Sequence, residues 1–181
     1  MSAEILIIDD NADIRLILDE LINDAGYKTR LAANFNQALT EIDKKLPDVA
    51  IIDVKLDKGD NDGILLLDHI KKKNPDLPVI MISGHANIEM AIDSLKHGAF
   101  EFVEKPFDRD RLLNFISRAV ENLSLKNQNR EFENKLFSSY DLIGNSKNIL
   151  SIKDQIEKIS LTDSRVIING PSGSGKELIA R

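Results

Sequence analysis

Over its first 120 residues the chain repeats one pattern five times: a short apolar run, then a segment whose apolar residues recur at helical spacing. The runs are Ile5–Ile8, Lys28–Ala32, Val49–Ile52, Val79–Ile82 and Ala99–Val103. Between them apolar side chains fall three and four residues apart, as at Ile14, Ile17, Leu18, Leu21 and Ile22. Strands alternating with helices make βαβ units, and successive units make a parallel sheet with helices on both faces. The first, third and fourth runs are almost wholly apolar, as strands buried on both faces must be. The second, after Gly26-Tyr27, is the weakest of the five. The pattern predicts a flavodoxin-like, doubly wound α/β domain with a five-stranded parallel sheet. In such a fold the active groups gather at the carboxyl ends of the strands.

Composition narrows the rest. No apolar run approaches the ~20 residues of a membrane span. The opening MSAEILIIDD has no basic stretch before its apolar run, so it is not a secretory signal. There is no cysteine, which excludes disulfides and thiolate metal sites. A cytoplasmic protein without membrane partners is the expectation. The net charge of −6 is uneven: residues 1–120 hold 22 acidic and 15 basic side chains, residues 121–181 hold 8 and 9. An acidic first domain argues against DNA contact there, since phosphates need a basic face. Lys71, Lys72 and Lys73 are expected at a solvated helix end.

From Asp108 to about Phe137 the spacing predicts one long helix with a change of face. Leu113, Ile116, Val120 and Leu123 form a stripe toward the sheet. Leu125, Asn129, Phe132 and Leu136 form a second stripe offset by two residues, about 200° of helical rotation. The second stripe predicts a homodimer through this linker helix, with Asn129 in the seam; packing on the chain's own second domain is the alternative. After Ser138-Ser139 the segment DLIGNSKNIL leads into a helical pattern at Ile149, Ile152, Ile156 and Ile159. RVIING then reads as a strand running into a glycine-rich loop. The expected division is a domain over 1–120, a linker helix over 121–139 and part of a P-loop domain over 140–181.

Four strand ends carry polar residues: Asp9-Asp10 after the first, Asp53 after the third, Ser83 after the fourth and Lys105-Pro106 after the fifth. Taken singly, each has a bland account as a helix cap, a turn or a solvated charge. At the same end of successive strands they form a set. Converging carboxylates repel one another unless a cation offsets them, and a hard cation with oxygen ligands describes Mg²⁺. An aspartate can act as a nucleophile toward phosphorus. A lysine and Mg²⁺ then neutralise charge on the phosphoryl oxygens, and a hydroxyl such as Ser83 can hydrogen-bond one of them. An aspartate-nucleophile phosphatase would want a carboxylate two residues after its nucleophile on the first strand, which Asp9-Asp10-Asn11-Ala12 does not supply. A flavin carrier would want a Ser/Thr/Gly-rich loop there, which is also absent. His69, His85 and His97 lack ligand spacing and are expected as surface or packing residues; His85, two residues after Ser83, is also a candidate for the site rim with a bearing on phosphate lifetime.

The segments LIIDDN, AIIDVK, MISGHA and FVEKPF resemble the receiver domain of two-component response regulators, over about residues 3–120. The resemblance implies that Asp53 is the phosphoacceptor, served by a sensor histidine kinase. It implies that Asp9, Asp10 and Asp53, with the backbone carbonyl of Lys55, hold Mg²⁺. Ser83 becomes the switch hydroxyl, Phe102 the aromatic switch residue and Lys105 the phosphate-pairing lysine, with a cis Lys105-Pro106 bond. One stretch departs from the pattern: DVKLDKGDNDG lacks the usual Met-Pro and reaches Asp62-Gly63 two residues late. A longer loop of this sort resembles the NtrX branch of the NtrC family.

Gly170 to Lys176, GPSGSGK, has the spacing of a Walker A loop, whose backbone N–H groups cradle phosphates. Glu177 stands where most such loops place Ser or Thr. The form GxSGxGKE is similar to the AAA+ domain of sigma-54-dependent activators, and LIGNS to that domain's opening. The resemblance implies ATP held by Gly170, Gly173, Gly175, Lys176 and Glu177 in a complete domain. Sigma-54 RNA polymerase and DNA are then partners only through parts outside these residues. A flexible Gly/Ser tail is the alternative. The sequence stops at Arg181, before the acidic residue and arginine that hydrolysis requires. The expectation is a phosphoacceptor signalling protein without ATPase activity.

Overall fold

A computed structural model describes residues 2–57, 59, 61–84, 88–138, 142, 144–160, 162 and 165–180, with the side chains of 133–138, 178 and 180 outside the description. The chain divides into two compact units, Met1–Asn127 and Gln128–Arg181.

In the first unit, β1 (Glu4–Ile8), β2 (Lys28–Ala32), β3 (Val49–Asp53), β4 (Val79–Ser83) and β5 (Glu101–Glu104) form one parallel sheet in the order β2-β1-β3-β4-β5. Helices α1 (Ala12–Asp24), α2 (Phe35–Lys44), α3 (Asp62–Lys73), α4 (Ile88–Lys96) and α5 (Arg109–Ser138) follow the strands in turn. This is the flavodoxin-like architecture the periodicity predicts. The order also explains the weak second run. β2 is an edge strand, and its Lys28 is exposed while Thr29, Arg30 and Leu31 are half-buried. The central β3 and β4 are buried throughout.

Successive side chains on a strand point to opposite faces, so the runs feed two cores. Leu6, Ile8, Ala50, Ile52, Val79 and Met81 pack with α2 and α3 through Ala38, Ile42, Leu66, Leu67 and Ile70. Ile5, Ile7, Ile51, Ile80 and Ile82 pack with α1 and α5 through Leu18, Leu21, Ile22, Leu112 and Ile116. Each of the Val, Leu, Ile and Met side chains among them contributes about 1.5–3 kcal/mol on burial. On α5 the buried line is Leu112, Ile116 and Ala119, with Leu113, Val120 and Leu123 half-buried beside it. The expected stripe does meet this core, through Ile116 and through Leu113 and Val120 packed against it, with Leu112 and Ala119 buried deeper. Which side of a broad apolar face meets the sheet is decided by packing, not by spacing. The fifth strand also starts later than its apolar run: Ala99 and Phe100 lie before it, and Phe100 N donates to Val79 O at 2.7 Å.

The second unit contains α6 (Lys147–Ser160), carrying Ile149, Ile152, Ile156 and Ile159, and the short α7 (Lys176–Ala180). The strand expected over RVIING is not formed. Strand backbone must pair with a neighbour, and among the described residues no strand lies beside it. Val166 and Ile167 stay exposed, and Ile152, Ile156, Ile159 and Ile179 line an open apolar groove with Val166 and Ile168. On α5, Leu125 and Phe132 are exposed; the side chain of Leu136 lies outside the described residues. Among the described residues no helix is long and apolar enough to cross a membrane.

Candidate functional site

Parallel register brings the strand ends to one edge: Ile8 is level with Ile52, Asp53 with Ile82, and Ser83 with Glu104. The chain leaves β1 through Asp9 and Asp10 into α1, whose N-cap is Asn11. Asn11 Oδ1 accepts from the N–H groups of Asp13 (2.9 Å) and Ile14 (3.3 Å), satisfying donors a helix start leaves open. Neither aspartate serves as the cap. Asp9 is buried instead: its Oδ1 accepts from Asn11 N at 2.9 Å, and its Oδ2 from Lys105 Nζ at 2.6 Å. Asp10 stands exposed at the rim.

Asp53, the last residue of β3, is 8% exposed. Its Oδ2 accepts from Lys105 Nζ at 2.5 Å and its Oδ1 from Lys55 N at 3.3 Å. One ammonium thus bridges two carboxylates from distant parts of the chain. Carboxylate oxygens of Asp9, Asp10 and Asp53 lie within 4.8 Å of one another. Asp10, Asn11, Asp53, Lys55, Ser83 and Lys105 line a common pocket. Ser83 is buried at the end of β4, and Ser83 O accepts from Lys105 N at 2.8 Å. The Lys105-Pro106 bond is cis. Phe102 is not among the lining residues; it is half-buried on β5, level with Met81, against the core formed with α2 and α3.

The electrostatics follow from this crowding. Burial lifts the Asp53 carboxyl above its ordinary range, and the Asp9 charge adds to the lift; Lys105 and the Lys55 N–H oppose without outweighing them. Lys105 feels burial in the lowering direction, but its bonds to Asp53 and Asp9 prevail and hold it above its usual value. The two shifts agree physically, since one lysine has two carboxylates while Asp53 shares its lysine with a like charge. Three carboxylates against the ammonium of Lys105 and that of the exposed Lys55 leave a negative surplus at the pocket. An all-oxygen donor set with that surplus fits a hard divalent cation such as Mg²⁺.

Two residues of the site escaped the sequence reading. Gly63 lies in the first turn of α3, and a Cβ there would fall 2.2 Å from Asp53 O and 2.8 Å from Val54 Cα. The delay before Asp62-Gly63 was visible, but the close approach that demands glycine was not. The extra length is taken up locally: Leu56 is buried and bridges to Gly59, and Asp57 Oδ1 accepts from Phe35 N at 3.0 Å. Arg15 is the second, donating from Nη1 to Asp9 O at 2.7 Å. His85 lies outside the described residues. His97 pairs with Asp68 on α3 at 2.8 Å and is raised by that bond, away from the pocket.

In the second unit, Gly173 (φ 78°) and Gly175 (φ 81°) adopt left-handed conformations that favour glycine. Lys176 Nζ donates to Gly170 O at 2.8 Å and Pro171 O at 2.6 Å, so the loop closes on its own lysine. Glu177 is exposed in the first turn of α7.

The response regulator receiver domain matches residues 5–117, and the sigma-54 interaction domain matches residues 142–181. The nitrogen assimilation regulatory protein NtrX of Azorhizobium caulinodans is 42% identical over 181 residues, all of this chain and 40% of that protein. A crystal structure of NtrX from Brucella abortus in complex with ADP superposes with a TM-score of 0.69 at 40% identity, covering 99% of this chain and 40% of that one. The receiver domain of the Brucella abortus NtrX, at 44% identity and a TM-score of 0.61, covers 65% of this chain and is itself covered over 98%. The chain spans about 40% of the length of the NtrX relatives it matches.

Proposed function

Because the chain belongs to the family of response regulator receiver domains, we propose that it takes a phosphoryl group from a sensor histidine kinase onto Asp53 and switches a transcription-activating output. The observation that carries the proposal is the bridge of Lys105 Nζ between Asp9 and Asp53 beside Asp10 and Ser83. An Asp53 carboxylate oxygen attacks phosphorus as the phosphorus–nitrogen bond of the donor phosphohistidine breaks; the bonding pair returns to the imidazole, which leaves and takes up a proton. Asp9, Asp10, Asp53 and the Lys55 carbonyl would hold Mg²⁺, which supplies positive charge for the phosphoryl oxygens. Lys105 adds a second positive charge on its own side of the pocket. The Ser83 hydroxyl donates to a phosphoryl oxygen, and Phe102 repacks with it, shifting the balance between inactive and active forms.

The proposed division is a receiver over 1–120, a linker helix over 121–139 that pairs two copies, and the start of an AAA+ domain over 140–181. Gly170, Gly173, Gly175, Lys176 and Glu177 are assigned to ATP in the complete domain; the ADP in the Brucella abortus NtrX structure supports this. We assign these residues a nucleotide cradle and no hydrolysis, because a cradle alone neither activates water nor stabilises the transition state. Sigma-54 RNA polymerase and DNA are the partners proposed for the longer protein, and the cytoplasm its compartment.

The experiment is incubation with a small phosphodonor and Mg²⁺, followed by intact mass. The protein gains one phosphoryl group that hydroxylamine removes, and Asp53→Asn gains none. Labelling that survives in Asp53→Asn, or many turnovers of donor without a stable adduct, overturns the assignment.

A further inference from the structure

The peptide between Asp9 and Asp10 is held from outside the pocket. Arg15, half-buried one turn past the N-cap of α1, donates from Nη1 to Asp9 O at 2.7 Å. The Asp9 N–H is fixed separately by Ala32 O at 3.3 Å, and the Asp9 carboxylate by Asn11 N and Lys105. Asp10 differs. Its carboxylate is exposed and makes no hydrogen bond or ion pair among the described residues, so its direction depends on its backbone. The Asp9 carbonyl and the Asp10 N–H share one rigid peptide plane. Holding that carbonyl therefore fixes one of the two planes that meet at the Asp10 Cα.

We propose that Arg15 is a positioning residue for the acidic pocket: by locking the Asp9–Asp10 peptide it aims the Asp10 carboxylate at the divalent cation. The inference rests on the function proposed above. Arginine suits the task, because its guanidinium stays charged and offers donors in a fixed fork. Partners one step behind a metal ligand commonly govern its orientation.

The test is calorimetric titration of the 181-residue chain with Mg²⁺, together with the rate of phosphodonor labelling as a function of Mg²⁺ concentration. In Arg15→Met, Mg²⁺ binds on the order of tenfold more weakly. The concentration for half-maximal labelling rises by the same factor, and saturating Mg²⁺ restores the lost rate. Arg15→Lys recovers part of the affinity. In an Asp10→Asn background the Arg15→Met change adds nothing, because the two residues act as one unit. Wild-type Mg²⁺ affinity in Arg15→Met overturns the proposal, as does a lowered rate that saturating Mg²⁺ leaves low. If Arg15→Met does not fold, Arg15→Lys decides: unchanged Mg²⁺ affinity overturns it and an intermediate loss supports it. Asp10→Asn alone separates the two levels of argument. If it binds Mg²⁺ as tightly as wild type, the acidic-pocket reading fails; if it weakens binding while Arg15→Met does not, only the role of Arg15 fails.

Discussion

Substituting Gly63 by alanine tests how the end of β3 is positioned. A Cβ at Gly63 would lie 2.2 Å from Asp53 O, 2.8 Å from Val54 Cα and 2.9 Å from Val54 O. All three are backbone atoms, so no side chain can rotate away. Restoring an ordinary contact of 3.4 Å to Asp53 O means a retreat of roughly 1.2 Å between α3 and β3. That movement also stretches the bond from Gly63 N to Val54 O, now 2.9 Å. Helix propensity acts the other way, since alanine is favoured over glycine by about 1 kcal/mol in a helix interior. Overpacking costs about 1–3 kcal/mol, and a lost internal hydrogen bond about 1 kcal/mol. The clash wins, leaving a net destabilisation of about 1–3 kcal/mol. For a chain of this size each kcal/mol moves Tm by about 2–4 °C. Thermal melting by circular dichroism should show Gly63→Ala melting lower by several degrees, and labelling of Asp53 should slow because its backbone is displaced. Gly59→Ala is the control, with its nearest contact the Asp62 Oδ1 at an ordinary 3.6 Å. If Gly63→Ala melts at or above wild type, the close-approach argument is wrong.

Asp53→Asn should stabilise the protein at neutral pH in the presence of a chelator. The folded state holds the Asp53 proton more tightly than the unfolded chain does, so stability falls as pH rises from about 4 through the raised folded value. Asparagine removes that loss, and melting curves of the two proteins should converge below about pH 4; a less stable Asp53→Asn at pH 7 would mean the Lys105 pair outweighs burial. In the linker helix, Leu125 and Phe132 are 54% and 63% exposed. Sedimentation should show a concentration-dependent dimer for wild type and a monomer for Phe132→Asp, whereas equal dimer fractions would remove the stripe as a seam.

The sheet was legible because hydrophobic periodicity is a property of neighbouring residues. Val49–Ile52 and Val79–Ile82 are apolar on both faces and became central strands; Lys28–Ala32 is mixed and became an edge. The acidic site was legible for a related reason: in a parallel sheet, residues that follow strands share an edge whatever lies between them. Asp9, Asp10, Asp53, Ser83 and Lys105 could therefore be grouped before any distance was known. The distances themselves belong to the packing. Lys105 reaches Asp9 across 96 residues and Asp53 across 52, and nothing local distinguishes that bridge from a solvated lysine. The cap fell to Asn11 rather than to either aspartate, Arg15 turned back onto Asp9 O, and Gly63 met the backbone of β3. RVIING shows the same limit from the other side. It has the composition of a strand, but a strand exists only where another backbone accepts its hydrogen bonds, and here none of the described residues does. Composition and spacing determine what a segment can bury; only the assembled chain determines what it touches.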